Sequence, residues 1–232
     1  MRYAVLGTGA VGRAVADKLA SLGHEVVVGT RDPQATLART EPDGYGNPPF
    51  SQWQASHEQI RLETFADAAA SADAVVNTTS GAGSLQALEA AGAENLAGKV
   101  LIDIANPLDF SQGMPPSLNP VNTDSLGEQI QRAFPEVMVV KTLNTMNCQI
   151  MVDPARVAGE HTVFVSGDDT RAKKAVTELL ISFGWPASSV IDLGDITTAR
   201  GTEMLLPIWL RLWGALGNAD FNFHIQGAHT GA

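Results

Sequence analysis

Short apolar runs alternate with longer amphipathic stretches from the first residues almost to the last. Arg2–Leu6 (RYAVL) predicts a buried strand, and residues 25–28 predict a second. Between them Val11, Val15, Leu19 and Leu22 recur at helical spacing until Gly23. The pattern then predicts strands over 61–65, 74–76, 100–104, 137–141, 162–166 and 190–193. Helices are predicted over 33–39, 66–72, 84–91, 125–134 and 170–183, with Asp124 capping the fourth and a helical turn over 53–57. Residues 41–51 (EPDGYGNPPFS) are turn formers and predict a loop. Strands that are apolar throughout, alternating with helices, imply an α/β fold with a doubly wound, mostly parallel sheet covered on both faces. Residues 197–217 read as helix, apolar on most sides, kinked or divided at Pro207. Such a helix is buried in a core or in a subunit interface. Trp209 and Trp213 share one face of it. With Met204, Leu205 and Leu206 they either pack in a core or line an apolar slot for a planar ligand.

The junction of the first strand and helix carries the first chemistry. Gly7-Thr8-Gly9-Ala10-Val11-Gly12 is a G-x-G-x-x-G turn inside a strand–helix–strand unit, the pattern of a Rossmann-like dinucleotide site. Gly7 permits the tight turn, Gly9 lets the backbone approach a pyrophosphate, and Gly12 lets helix and strand pack closely. Phosphates would rest on free N–H groups at the positive end of the helix. An NAD site carries an acid at the end of the second strand to hold the ribose 2′-hydroxyl. Here that strand ends in Gly29-Thr30-Arg31. A guanidinium pairs with a 2′-phosphate and Thr30 adds a hydroxyl, so NADP(H) is the expected cofactor. Asp32 precedes Pro33, which suits an N-cap followed by proline at the first helical position. On this division residues 1–194 form the NADP-binding domain. Residues 195–232 form a C-terminal helical segment that completes the substrate pocket, the dimer interface or both.

Composition narrows the partners. The net charge of −10 disfavours nucleic acid and anionic membrane surfaces, and 44% hydrophobic content suits an ordered globule. One cysteine, Cys148, excludes an internal disulfide. Met1 leads straight into the first strand, and the most apolar stretch, 204–216, is too short for a bilayer span. A cytoplasmic protein acting on a small molecule is expected, as a homodimer hiding the apolar C-terminal helix.

In an open parallel sheet, ligands lie beyond the carboxyl ends of the strands. Three loops leave those ends with small or polar residues: 77–81, 105–109 and 142–146. Strand–helix turns favour such residues in any case, but these three share an edge with the glycine turn. No Ser/His/Asp order and no metal-ligand spacing appears. His24, His57, His161, His224 and His229 fall in turns, loops or the tail. Asp103, inside a strand, is expected to satisfy backbone donors. Lys141, at a strand end, is the best candidate for a general acid, with a salt bridge as the equal alternative. No catalytic side chain is therefore assigned. A cofactor site without an acid or base suits direct hydride transfer between two bound rings, with the protein supplying position and dryness.

The segments YAVLGTGAVG…GTRDP, VVKTLNT and ARGTEMLLPIW resemble the coenzyme F420-dependent NADP oxidoreductase family, over nearly the whole chain. The resemblance implies hydride transfer between NADP(H) and the deazaflavin F420. It implies that Gly7, Thr8, Gly9, Ala10, Val11 and Gly12 bind the pyrophosphate, and Thr30 and Arg31 the 2′-phosphate. Thr79, Ser80, Asn106 and Pro107 would border the nicotinamide, with Thr78 beside them on the cofactor side. Asn144, Met146, Leu205 and Leu206 would border the second ring. Two departures stand out: an extra glycine common in archaeal members is absent from the first turn, and the connection over 41–53 is longer. That loop would cover the adenosine end or restrict the second site. An NADPH-dependent reductase of a flavin, quinone or imine remains the alternative, as does an NADPH-binding sensor without turnover.

Overall fold

The chain enters through the middle of an eight-stranded sheet and fills it outward in both directions. In this computed structural model, which describes residues 1–43 and 46–227, the strands are β1 (Arg2–Leu6), β2 (Glu25–Thr30), β3 (Arg61–Thr64), β4 (Ala74–Asn77), β5 (Val100–Asp103), β6 (Leu108–Asp109), β7 (Ser117–Leu118), β8 (Met138–Thr142), β9 (Val163–Ser166) and β10 (Val190–Asp192). The large sheet runs β10-β9-β8-β5-β4-β1-β2-β3, and β6 pairs with β7 as a separate ribbon. The reversal of strand order on either side of β1 makes the crevice where open α/β sheets take ligands. Two parts of the sequence reading, residues 44–45 of the long loop and His229 in the tail, lie outside the described residues.

Side-chain alternation divides the core between the two faces. Tyr3, Val5, Val26 and Val28 lie in the core layer covered by the helix Ala10–Ser21 and, over β8 and β9, by Thr170–Phe183. Ala4, Leu6 and Val27 pack under Phe65–Ser71, Gly81–Ala91 and Leu126–Ala133. Both layers are apolar, as a doubly wound sheet requires. Helix starts follow from local chemistry: Asp32, Thr64 and Asp169 each accept a backbone N–H from the first turn. The fourth long helix departs from the expected cap. Ser125, not Asp124, caps it, accepting the Glu128 amide and donating its hydroxyl to the Glu128 carboxylate, while Asp124 pairs with Arg132.

Two edge strands also depart from the expected direction. β9 pairs antiparallel with β8, and β10 runs parallel to β9. The link over 143–162 holds only the short helices Cys148–Val152 and Pro154–Arg156. It does not cross back under the sheet, so β9 starts beyond the carboxyl end of β8 and returns along it. Because β9 and β10 are short and end level with Lys141 and Thr142, the chain after β10 emerges beside the carboxyl ends of β5 and β8. There Ile196 and Ala199 join the core.

The C-terminal helix is divided at Leu205 into Ala199–Met204 and Leu206–Leu216, with Pro207 in the first turn of the second piece. The expected burial of this segment holds for its first half. Thr202, Glu203 and Leu206 are enclosed, but Ile208, Trp213 and Leu216 are exposed on this chain. Residues 218–227 then return along the sheet. The Thr162 amide donates to the Phe223 carbonyl, Asn222 donates to Thr162, and Phe221 stacks on Trp209 at 5.4 Å.

Candidate functional site

Parallel pairing in register lines up the carboxyl ends of four neighbouring strands. Leu6 stands opposite Asn77, Asn77 opposite Asp103, and Asp103 opposite Lys141. The loops that leave these positions therefore converge on one edge, beside the glycine turn.

The glycine turn itself is tight. A side chain at Gly12 would meet the Gly7 carbonyl at 2.2 Å, so helix and strand approach as closely as only glycine allows. The position of a side chain at Gly9 is open, with nothing within 4 Å. That free space over exposed backbone amides fits a dinucleotide pyrophosphate. A cleft of about 680 Å³ opens there, lined by Gly7, Thr8, Gly9, Thr30, Arg31 and Asp32, then by Thr36, Arg39 and Thr78–Ser80, with Gln86 and Ala90 on its far wall. The Asp32 carboxylate accepts from the Ala35 amide as the helix cap expected of it. The Thr30 hydroxyl is buried against that of Thr36 at 3.0 Å, while Arg31 is exposed.

Arg13 ties the long loop to this turn. Its Nε donates to the Thr8 carbonyl at 2.9 Å and its Nη1 to the Pro48 carbonyl at 2.6 Å, over the Phe50 ring. The loop thus borders the glycine-turn end of the cleft, where a second cavity of about 550 Å³ shares Thr8, Gly9, Thr36 and Arg39 with it. Arg13, Arg39 and Gln86 were not singled out in the sequence. A second cation eight residues past Arg31 was the signal for Arg39.

At the other end of the cleft the strand-end loops are bonded to one another. A side chain at Gly81 would strike the Asn106 carbonyl at 2.0 Å, so the loops after β4 and β5 touch through backbone. Asn106 donates to the Asn144 carbonyl at 2.8 Å, and Asn144 returns a bond to the Asn106 side chain at 2.9 Å. Asn144 follows Leu143, whose φ of 62° lies in the left-handed region, a strained conformation for a bulky residue. Pro107 is buried beside Gly81. Of the residues expected at the second ring, Asn144, Met146 and Leu206 are buried and Leu205 is half-exposed. Met146 packs in the core with Leu143 and Ile150.

Beneath these loops lies a closed polar network. Lys141 is wholly enclosed and pairs with Asp103 at 2.9 Å and with Glu203 at 2.8 Å. Asp103 also accepts from Asn77 and from the Ala105 amide, while Asn77 accepts from Thr79. Glu203 accepts the Leu126 and Gly127 amides at the start of a helix, where a negative charge is favoured. Burial works against the Lys141 charge, but Asp103 and Glu203 outweigh it and hold its pKa above the ordinary lysine value. Lys141 thus stands in buried ion pairs, as the salt-bridge reading of it expected. Asp103 serves a lysine and an amide side chain besides the one backbone donor expected. Glu128, beside this network, is held below the usual glutamate range by Arg200. Among the described residues no group of His, Cys, Asp and Glu is placed to hold a metal ion, and no helix is long and apolar enough to cross a membrane.

A Rossmann-like sheet with this cleft is the framework of an NADP-binding oxidoreductase, and the comparisons with known proteins agree. The family described as coenzyme F420-dependent NADP oxidoreductase matches residues 2–107. A solved structure from Arthrobacter sp. FB24, provisionally described as an F420-dependent NADP-reductase, is 69% identical, with a TM-score of 0.92 over 96% of this chain and 98% of that one. The chain belongs to the coenzyme F420-dependent NADP oxidoreductase family. It is also 27% identical over 212 residues to the metalloreductase STEAP3 of Rattus norvegicus, covering 90% of this chain but only 38% of that protein. A reductive aminase from Aspergillus terreus, solved with NADPH and ethyl levulinate, shares the fold at 16% identity and a TM-score of 0.61, over 93% of this chain and 62% of that one.

Proposed function

We propose that this NADP-dependent oxidoreductase passes hydride directly between NADP(H) and coenzyme F420. The carrying observation is the junction of the loops after β4, β5 and β8. Their small polar residues meet beside the nucleotide cleft, and the ionisable groups beneath them, Asp103, Lys141 and Glu203, are spent on one another. On this reading Gly7–Gly12 hold the pyrophosphate and Thr30 and Arg31 mark the 2′-phosphate end. Thr78, Thr79, Ser80, Asn106 and Pro107 border the nicotinamide, and Asn144, Met146, Leu205 and Leu206 shape the side where the deazaflavin lies. When bound, the nicotinamide would supply or accept the hydride, and the proton that balances it on the deazaflavin would be exchanged with solvent after the hydride has moved, since Asp103, Lys141 and Glu203 are tied to one another. The chain's part is to hold two flat rings within about 3–3.5 Å and to keep water out. The Asn106–Asn144 pair, set over the strained Leu143, fixes the two loops against each other for that purpose. The 69% identical relative, itself only provisionally described as an F420-dependent NADP-reductase, supports the choice of acceptor.

The resemblance to a metalloreductase favours one second reading, an NADPH-dependent reductase of an acceptor other than F420. Mixing the protein with NADPH and oxidised F420 separates the two. Bleaching of the deazaflavin absorbance is expected, with flavin and quinone slower by orders of magnitude. Ser80→Trp and Pro107→Trp should abolish the bleaching by wedging the rings apart. Single-turnover rates with C4-deuterated NADPH should show an isotope effect and no dependence on pH between about 6 and 9, since no side-chain proton moves. Turnover with flavin but not F420 would replace the acceptor; a bell-shaped rate profile would replace the acid-free mechanism.

A further inference from the structure

We propose that Arg39 is a second specificity-determining residue for the ribose 2′-phosphate of NADP(H), acting with Arg31. The inference rests on the NADP reading of the cleft and adds to it a residue that the glycine-turn pattern does not mark.

The cleft is lined by two basic side chains, Arg31 and Arg39. Both are exposed, and neither forms an ion pair or hydrogen bond among the described residues. That is unusual in this chain. Its other arginines, Arg211 excepted, are held by carboxylates or carbonyls: Arg2 and Arg61 by Glu25, Arg132 by Asp124, Arg156 by Asp220, Arg171 by Asp169, Arg200 by Glu128, and Arg13 by Thr8 and Pro48. In a protein of net charge −10, two guanidiniums without an ion pair leave this cavity locally positive, with Asp32 the one carboxylate among its lining residues.

The neighbouring acids do not neutralise it. Asp32 caps its helix through one oxygen and sets a single negative charge against two positive ones, and Asp43 accepts from the Asn47 amide and side chain. Glu41 lines the outer cavity and not the cleft. The hydroxyl first expected to help, on Thr30, is engaged with Thr36 in a buried pair. Arg31 alone would then face a group carrying close to two negative charges. Arg39 lies three residues beyond Thr36, on the boundary between the cleft and the outer cavity, and lines both. From there its fork can close on phosphate oxygens bidentately, the geometry that distinguishes arginine from lysine.

The test is calorimetric titration of the full chain with NADPH and NADH, and with adenosine 2′,5′-bisphosphate and 5′-AMP, which carry no nicotinamide. Arg39→Ala should weaken NADPH and the bisphosphate at least tenfold while leaving NADH and 5′-AMP within twofold, and Arg39→Lys should recover part of the loss. Arg39→Glu should remove the preference for the phosphorylated ligands. If the unmutated protein binds NADPH and NADH alike, the NADP reading of the cleft fails and this proposal with it. If the unmutated preference is clear, is lost in Arg31→Ala and survives intact in Arg39→Ala, the role of Arg39 alone is overturned. Equal weakening of all four ligands in Arg39→Ala would likewise overturn it, as general damage to the cleft.

Discussion

Lys141 shows how much one side chain can decide. An ammonium with no exposure to water keeps its charge only because two carboxylates and the Ala105 carbonyl surround it. Removing it leaves Asp103 and Glu203 buried without a cation, so Lys141→Met should cost about 3–5 kcal/mol of folding stability. Adding Glu203→Gln should restore part of that, because one of the orphaned charges disappears. Urea unfolding of the two variants measures both effects, and a Lys141→Met protein as stable as the original would refute the account. The pH dependence follows from the raised pKa. The folded state holds this proton more tightly than the unfolded chain. The stabilisation is therefore complete below the ordinary lysine value of 10.5 and fades as pH climbs through the higher folded value. Glu128 has the opposite sign: its folded pKa is depressed below 4.5, so its contribution is present above that pH and is lost as acid carries the protein through the folded value. Between these limits both groups keep their charge, so neither should give the hydride step a pH dependence.

Among elements, the loop before β3 and the divided C-terminal helix do the most to shape the site. Arg13 holds the loop through a single carbonyl, that of Pro48, and stacks on Phe50. Arg13→Ala should therefore speed amide hydrogen exchange over residues 46–54 while the sheet stays protected. Unchanged exchange there would mean that the loop is held by its other contacts. The helix Ala199–Met204 is held differently, by Glu203 reaching both Lys141 and the start of Leu126–Ala133. How much of this the sequence revealed depended on whether the information was local. The glycine turn, the Asp32 cap and the polar strand ends are patterns over a few residues, and each stands where it was expected. The direction of β9 and β10 was hidden, because a buried strand has the same apolar run whichever way it points. The Lys141–Asp103–Glu203 cluster was hidden too. Its members come from three separate elements, and only register and the return of the chain after β10 bring them together. The stretch over 218–227 has no periodicity, since it docks by individual bonds from Asn222, Asp220 and Phe223.

At the scale of the whole molecule, the outer half of the C-terminal helix is left unexplained by this chain alone. Residues 204–216 carry one charge, Arg211, in a protein that is otherwise strongly acidic. Met204, Ile208, Trp213 and Leu216 are 40%, 47%, 42% and 53% exposed, and Leu206 is the buried anchor of the second helical piece. Trp209, Trp213 and Leu216 follow one another at the spacing of a single helical stripe, and Phe221 extends it through its stack on Trp209. A contiguous apolar surface of this kind is where monomers associate, and a two-fold axis is the commonest way to cover it. Pairing like with like here also avoids bringing the acidic remainder of two chains face to face, because the stripe contributes almost no charge of its own. We therefore expect a homodimer joined through this helix, at micromolar concentration and ordinary ionic strength. Because the face is apolar, raising the salt should leave the dimer intact, whereas an interface built on ion pairs would weaken. Trp213→Glu would bury two like charges at the axis and should yield a monomer with its far-ultraviolet circular dichroism unchanged. Light scattering reads the outcome. A monomeric unmutated protein, or a dimer indifferent to both Trp213→Glu and Ile208→Glu, would show that this face is not where two copies meet.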